Sequence, residues 1–224
     1  MLKNIINKIV KRNRSIGFHP QYLSKICTAD LVIDVGVGYG TNELYEAYPN
    51  ASIILVEPLA EEYSDALKLI SGKYYCEIIG KALGSEEGTS EINFSKDRLQ
   101  KASLFTRTNL TKNSGEVAKK TIQVTTLDNV LRDRDLSNKT IMLKIDTEGG
   151  ELSVLKGATQ TLKHTECVIA EVNLAKRFEN SYEFEELVFF MSENGFKVYS
   201  FLSMSFSVKE PRQRFTDVLF KKME

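Results

Sequence analysis

Asp34-Val35-Gly36-Val37-Gly38-Tyr39-Gly40 closes the apolar run Leu31-Val32-Ile33 with an acid and three glycines at alternate positions. That spacing suits a strand whose exit loop must hug a ligand. Gly36 permits a tight turn with positive φ, and Gly38 lets bare backbone touch the bound molecule. Gly40 lets the next helix pack close to the strand. A second apolar run, Ser52-Ile53-Ile54-Leu55-Val56, ends in Glu57-Pro58. A carboxylate at such a tip can accept both hydroxyls of a ribose, and Pro58 stops the strand behind it. Loop and acid together point to a cofactor that carries a nucleoside.

The third glycine narrows the choice. A dinucleotide site follows G-x-G-x-x-G/A and sets a pyrophosphate on a helix N-terminus. Here Thr41 stands where that pattern needs its third glycine. Asp34 would also repel a pyrophosphate, whereas it suits the ammonium group of a methionine-type cofactor. D-x-G-x-G-x-G with a strand-tip acid resembles the S-adenosylmethionine site of Rossmann-like methyltransferases. On that resemblance the cofactor residues are Asp34, Gly36, Val37, Gly38, Tyr39, Gly40, Asn42, Glu57, Pro58 and Ala82, with Asp146 from farther along the chain. A dinucleotide site and a ligand-free glycine turn are the alternatives.

The elements that must position these residues alternate between strand-like and helix-like periods, as in a parallel sheet with crossover helices. Strands are expected at Leu31–Val35, Ser52–Val56, Tyr74–Ile79, Thr121–Thr126, Ile141–Ile145, Cys167–Val172, Phe196–Phe201 and Asp217–Lys221. Between them, apolar residues at helical spacing mark Glu61–Ile70, Gly150–Leu162 (with Gly157 its weak point) and Tyr182–Glu193, with a helical turn at Leu127–Leu131. Lys81–Phe94 reads as a hairpin around Glu86-Glu87-Gly88. The expected fold is α/β: a Rossmann-like, seven-stranded, mostly parallel sheet with helices on both faces and a hairpin insertion after strand three. Its last strand inserts antiparallel, as in class I methyltransferases.

In such a sheet, ligands bind beyond the carboxyl ends of the strands. Asp34, Glu57, Ala82, Asp146, Glu148, Glu171 and Asn173 all fall there. His164 precedes a strand and belongs at the other edge; His19 is left unplaced. The run from Lys144 to Ala158, preceded by Thr126-Leu127-Asp128, resembles the K-I-D-x-E-G-x-E-x-x-x-L-x-G-A signature of FkbM-type methyltransferases, with Gly150 where the family usually has alanine. Glu57-Pro58, Ala82-Leu83-Gly84 and Glu171-Val172-Asn173 share in it. The resemblance implies S-adenosylmethionine-dependent O-methylation of a sugar, glycolipid, polysaccharide or other small polar metabolite.

A sugar hydroxyl is a poor nucleophile, so a base beside the transferred methyl helps. Asp146 is the first candidate and Glu148 the second. Asp146 could equally cap a helix, or join Glu171 and Asn173 around a hard divalent cation. Lys144 shares a strand face with Asp146 and calls for a carboxylate partner, Asp34 or Glu171. Base-amino methylation commonly uses [DN]-P-P-[YF], and no proline follows Asp146; cytosine-C5 chemistry needs a reactive-loop cysteine, whereas Cys76 and Cys167 lie in apolar runs. None of the nine tyrosines has a lysine four residues on, which counts against a short-chain NAD(P)-dependent oxidoreductase. That enzyme and a non-catalytic cofactor-binding module are the other readings.

All six charged side chains before Asp30 are cationic, so in a chain of net charge zero the remainder carries −6. That balance argues against a nucleic-acid partner. Leu2, Ile5, Ile6, Ile9 and Val10 recur at helical spacing, so residues 1–29 read as a basic amphipathic extension to a methyltransferase domain at 30–224. It would lie on an anionic surface, such as a membrane, or over the acidic body. Three cysteines without C-x-x-C, and no long apolar run, fit a cytoplasmic protein with reduced thiols. Arg98, Arg107, Arg212 and Arg214, in the loops expected to roof the pocket, either meet an anionic group of the acceptor or are solvated loop charges.

Overall fold

The computed structural model describes residues 18–108, 117–203 and 213–223. Most of the expected basic extension and Arg212 therefore lie outside the described residues. Among the described residues ten strands fall into two sheets. The larger has the order β3-β2-β1-β7-β8-β10-β9: β1 Leu31–Val35, β2 Ser52–Val56, β3 Cys76–Ile79, β7 Ile141–Ile145, β8 Thr165–Asn173, β9 Phe196–Phe201 and β10 Phe215–Lys222. All its pairings are parallel except those of β10, which runs antiparallel between β8 and β9. The mostly parallel seven-stranded sheet and the inverted last strand are as the sequence implied.

β1 is buried at every position, which is why it reads as an unbroken apolar run rather than an alternating one. Its residues split between two cores. Val32 packs with α1 (Pro20–Ile26), α2 (Asn42–Ala47) and α3 (Ser64–Ser71). Leu31, Ile33 and Val35 pack on the other face with α4 (Leu127–Leu131), α5 (Glu151–Lys156) and α6 (Phe184–Glu193). Each fully buried Leu, Ile or Val in these layers contributes about 1.5–3 kcal/mol. Helix starts follow local chemistry: Thr126 accepts the Asn129 amide ahead of α4, and Glu183 with Glu186 forms a capping box on α6. His19 caps α1, its Nδ1 accepting from Gln21 N, and so has no place in the site.

Two expectations change. The segment after β3 is not a hairpin. β4 (Ala82–Leu83) and β5 (Gly88–Phe94) each pair with β6 (Ala118–Thr125), in the order β4-β6-β5. β6 takes β4 in parallel and β5 antiparallel, so one strand from later in the chain separates the two. Ile92, Phe94 and Ile122 of this small sheet join the first core. The helix expected over Gly150–Leu162 stops at Lys156 and resumes as a 3-10 turn at Thr161–His164. Gly157 caps its end, and only glycine fits there, because a Cβ would sit 2.0 Å from the Gly84 carbonyl oxygen. His164 lies in that turn at the amino edge of β8, away from the site. Among the described residues no helix is long and apolar enough to cross a membrane.

Candidate functional site

The chain order reverses between β1 and β7, and a crevice of about 850 Å³ opens beyond their carboxyl ends. Its floor is the junction of the two exit loops. The Asp146 amide donates to Val35 O at 2.9 Å, and the Gly36 amide to Val56 O at 2.9 Å. Gly36 has φ +78°, and a Cβ there would lie 1.8 Å from the Asp146 carbonyl oxygen. No other residue fits that contact.

Gly36 to Tyr39, Glu57-Pro58, Ala82, Asp146 and Glu148 all line this crevice. Leu99, Gln100 and Ala102 to Leu104 close it from the loop before β6. Glu57 is 5% exposed. Its Oε2 accepts the Gly38 amide and its Oε1 the Leu59 amide, both at 2.9 Å. Burial pushes its carboxyl above the ordinary value, and those two amide hydrogen bonds pull against the shift. Each oxygen keeps a further lone pair for a ligand hydroxyl.

Three predicted cofactor residues lie outside the lining. Gly40 packs on Ile70 and Tyr45, and Asn42 opens α2. Asp34 is fully buried. Its carboxylate is held by the Tyr45 hydroxyl at 2.6 Å and Lys144 Nζ at 3.2 Å. An ammonium group of a ligand cannot reach it, because an ammonium group of the protein already has. The register that sets Asp34 opposite Lys144 across β1 and β7 forces this pairing. Lys144 also lies 3.6 Å from Asp146, whose side chain is 35% exposed at the crevice floor. Burial alone would lower the Lys144 pKa. The carboxylates of Asp34, Asp146 and Asp217 outweigh it and hold the ammonium above its ordinary value.

Glu148 is placed differently from expectation. Its carboxylate sits between Arg177 at 2.6 Å and Arg107 at 3.2 Å, so it is a structural anion rather than a free base. Its backbone has φ +52°, a left-handed geometry costly for a non-glycine residue and held here by the two guanidiniums. The oxygen-only cation set is corrected as well. Arg177 donates to Glu171 at 2.6 Å and to Asn173 at 3.1 Å, filling with its guanidinium the place a metal would take. Arg107 and Arg177 both lie over the Phe178 ring, at 4.7 and 5.2 Å. This clamp fixes the loop before β6 to the exits of β7 and β8. Sequence reading left Arg177 and Phe178 unremarked, although Arg177 stands only four residues after Asn173.

The carboxylates therefore have separate duties: Asp34 holds Lys144, Glu57 the glycine loop, Glu148 and Glu171 the arginine clamp. Asp146 faces the open space with one cation at its side.

The fold compares with solved methyltransferases. An rRNA methylase, so proposed, from Clostridium thermocellum superposes with a TM-score of 0.51 at 12% identity, covering 95% of this chain and 97% of that one. The FkbM methyltransferase of Methylobacillus flagellatus KT gives 0.47 at 16% identity over 90% of this chain, which spans 50% of its length. Magnesium protoporphyrin IX methyltransferase of Synechocystis PCC 6803, solved with bound S-adenosylmethionine, gives 0.45 at 11% identity, covering 88% of this chain and 71% of that one. No curated protein matches. A model of the FkbM methyltransferase domain matches residues 29–198, well over half the length, and the chain belongs to the FkbM methyltransferase family.

Proposed function

We propose that this chain binds S-adenosylmethionine in the β1/β7 crevice and methylates a hydroxyl of a sugar, glycolipid, polysaccharide or other small polar metabolite. The carrying observation is the convergence of the glycine loop, the buried Glu57 carboxylate and the half-open Asp146 carboxylate in one crevice. The residues fit the cofactor. Glu57 keeps lone pairs for two ribose hydroxyls, and Leu83, Ile92 and Leu99 offer apolar wall for a base.

When bound, S-adenosylmethionine supplies an electrophilic methyl on a sulfonium. The chain's own part is position and proton transfer. The loop from Ala102 to Leu104 and the arginine clamp shape the acceptor side and exclude water. Asp146 accepts the hydroxyl proton as oxygen attacks, and Lys144 at 3.6 Å holds the carboxylate in place. Asp146→Asn should leave cofactor affinity within a few-fold and slow transfer at least ~100-fold, within the usual range for a positioned base. Labelled methyl transfer to a panel of sugars and glycolipids measures this; near-normal turnover would remove Asp146 as base.

Glu57 makes cofactor binding pH-dependent. Burial raises its carboxyl, so it takes up a proton at higher pH than an ordinary glutamate would. A protonated carboxyl loses acceptor capacity. Affinity for S-adenosylhomocysteine should therefore fall as pH drops through that raised value, and the acid limb should vanish in Glu57→Gln. Calorimetry across pH reads both; an acid limb retained in the variant would assign it elsewhere.

A further inference from the structure

At the amino ends of the strands, far from the crevice, two thiols and a carboxylate converge. Cys27 follows α1, and Glu166 and Cys167 open β8. Both Sγ atoms and a Glu166 carboxylate oxygen lie within 4.8 Å of one another. The cysteines are buried, at 3% and 0% exposure, and both are free thiols. The Glu166 side chain is 29% exposed, which opens the cluster to water on one side. We propose that Cys27, Glu166 and Cys167 bind a thiophilic divalent cation, zinc foremost, with water as the fourth ligand.

The donor set suits zinc, which takes thiolates and a carboxylate in a tetrahedron. Zn–S bonds of about 2.3 Å place tetrahedral donors roughly 3.8 Å apart, so side-chain adjustments of about 1 Å close the site. The surrounding contacts prepare it. Thr28 N and Oγ1 both donate to Glu166 Oε2 at 3.3 Å, which fixes the carboxylate and leaves Oε1 to ligate. The Tyr48 hydroxyl lies 3.8 Å from Cys27 Sγ, placed to support a thiolate. Lys221 Nζ is anchored on Ile26 O at 2.7 Å and stands 3.6 Å from Glu166 Oε1. Two thiolates, one carboxylate and Zn²⁺ sum to a single negative charge, which that ammonium balances. On uptake two metal–sulfur bonds form, and the two S–H protons pass to solvent. A disulfide between the same sulfurs would give Glu166 and its Thr28 contacts no role. The bound cation would tie the end of α1 to β8, independently of the methyl-transfer reading.

The test uses the reduced 224-residue chain, stripped with a chelator and titrated with Co²⁺ or Cd²⁺, then competed with Zn²⁺. A thiolate-to-metal charge-transfer band saturating at one equivalent and displaced by zinc is the expected result. Cys27→Ser and Cys167→Ser should each weaken binding at least ~100-fold and Glu166→Gln about tenfold, with Cys76→Ser unchanged. In the unmodified protein, which needs no variant to fold, mild denaturant opens the buried pair, and two of the three thiols should then react with a thiol reagent more slowly with zinc than after chelation. No band at one equivalent, a band that survives Cys27→Ser, or thiol reactivity that zinc leaves unchanged would each overturn the site. So would mild peroxide joining Cys27 to Cys167 in protein that takes up no zinc.

Discussion

Asp34→Ala is expected to destabilise the fold by about 3–5 kcal/mol, the cost of leaving a buried charge without its partner. Lys144 is 5% exposed in the middle of the central strand pair, so its ammonium cannot turn to solvent. Asp146 at 3.6 Å would be its remaining close carboxylate. Lys144→Met alone strands Asp34 with only the Tyr45 hydroxyl. Asp34→Leu with Lys144→Met should cost less than the Asp34→Leu and Lys144→Met singles added, because a well-packed apolar pair can stand in for a buried ion pair. Chemical denaturation of the four proteins measures this, and additive losses would contradict the pairing. The pH sign follows from the raised lysine. Its stabilisation is fully present below the ordinary lysine value and is lost only as strongly alkaline pH passes the raised one.

Gly36→Ala should lower affinity for S-adenosylhomocysteine at least ~100-fold, about 2.7 kcal/mol. The added methyl meets the Asp146 carbonyl oxygen at 1.8 Å. To relieve that overlap the two loops must part, and the glycine loop and Asp146 then no longer share one floor. The left-handed backbone adds about 1–2 kcal/mol for any L side chain. Gly38→Ala is the comparison for folding. It is also left-handed, at φ +52°, but its Cβ would meet only the Tyr63 side chain, with the hydroxyl at 3.8 Å. In the ligand-free chain it should cost only the backbone preference. Calorimetry reads the affinity, and chemical denaturation of both variants separates the two; equal losses of stability would mean that backbone conformation, not loop contact, sets the Gly36 requirement.

Strands buried on both faces were legible because they leave long apolar runs. β1, β2 and β7 carry the expected bounds, and so does β9, a largely exposed edge strand. The β4-β6-β5 sheet was not, since Ala82-Leu83 and Gly88–Phe94 look like hairpin arms and nothing local shows that Ala118–Thr125 lies between them. Gly36, Glu57 and Asp146 could be placed at strand ends by the parallel-sheet rule alone. The Asp34 side chain was legible only in part: Lys144 called for Asp34 or Glu171, and the β1–β7 register, which pairs residues 110 positions apart, selects Asp34. Glu148 looked like a second base for the same reason: Arg107 and Arg177, which hold it, come from loops with no periodic signal.

Titration calorimetry of S-adenosylhomocysteine into the wild-type chain and Glu57→Ala, with NAD as the comparison ligand, decides whether the β1/β7 crevice takes the adenosyl group with Glu57 on the ribose. One site per chain, weakened at least ~10-fold (about 1.4 kcal/mol) by Glu57→Ala and blind to NAD, is the predicted result. Affinity untouched by Glu57→Ala, or NAD binding where S-adenosylhomocysteine does not, would contradict it.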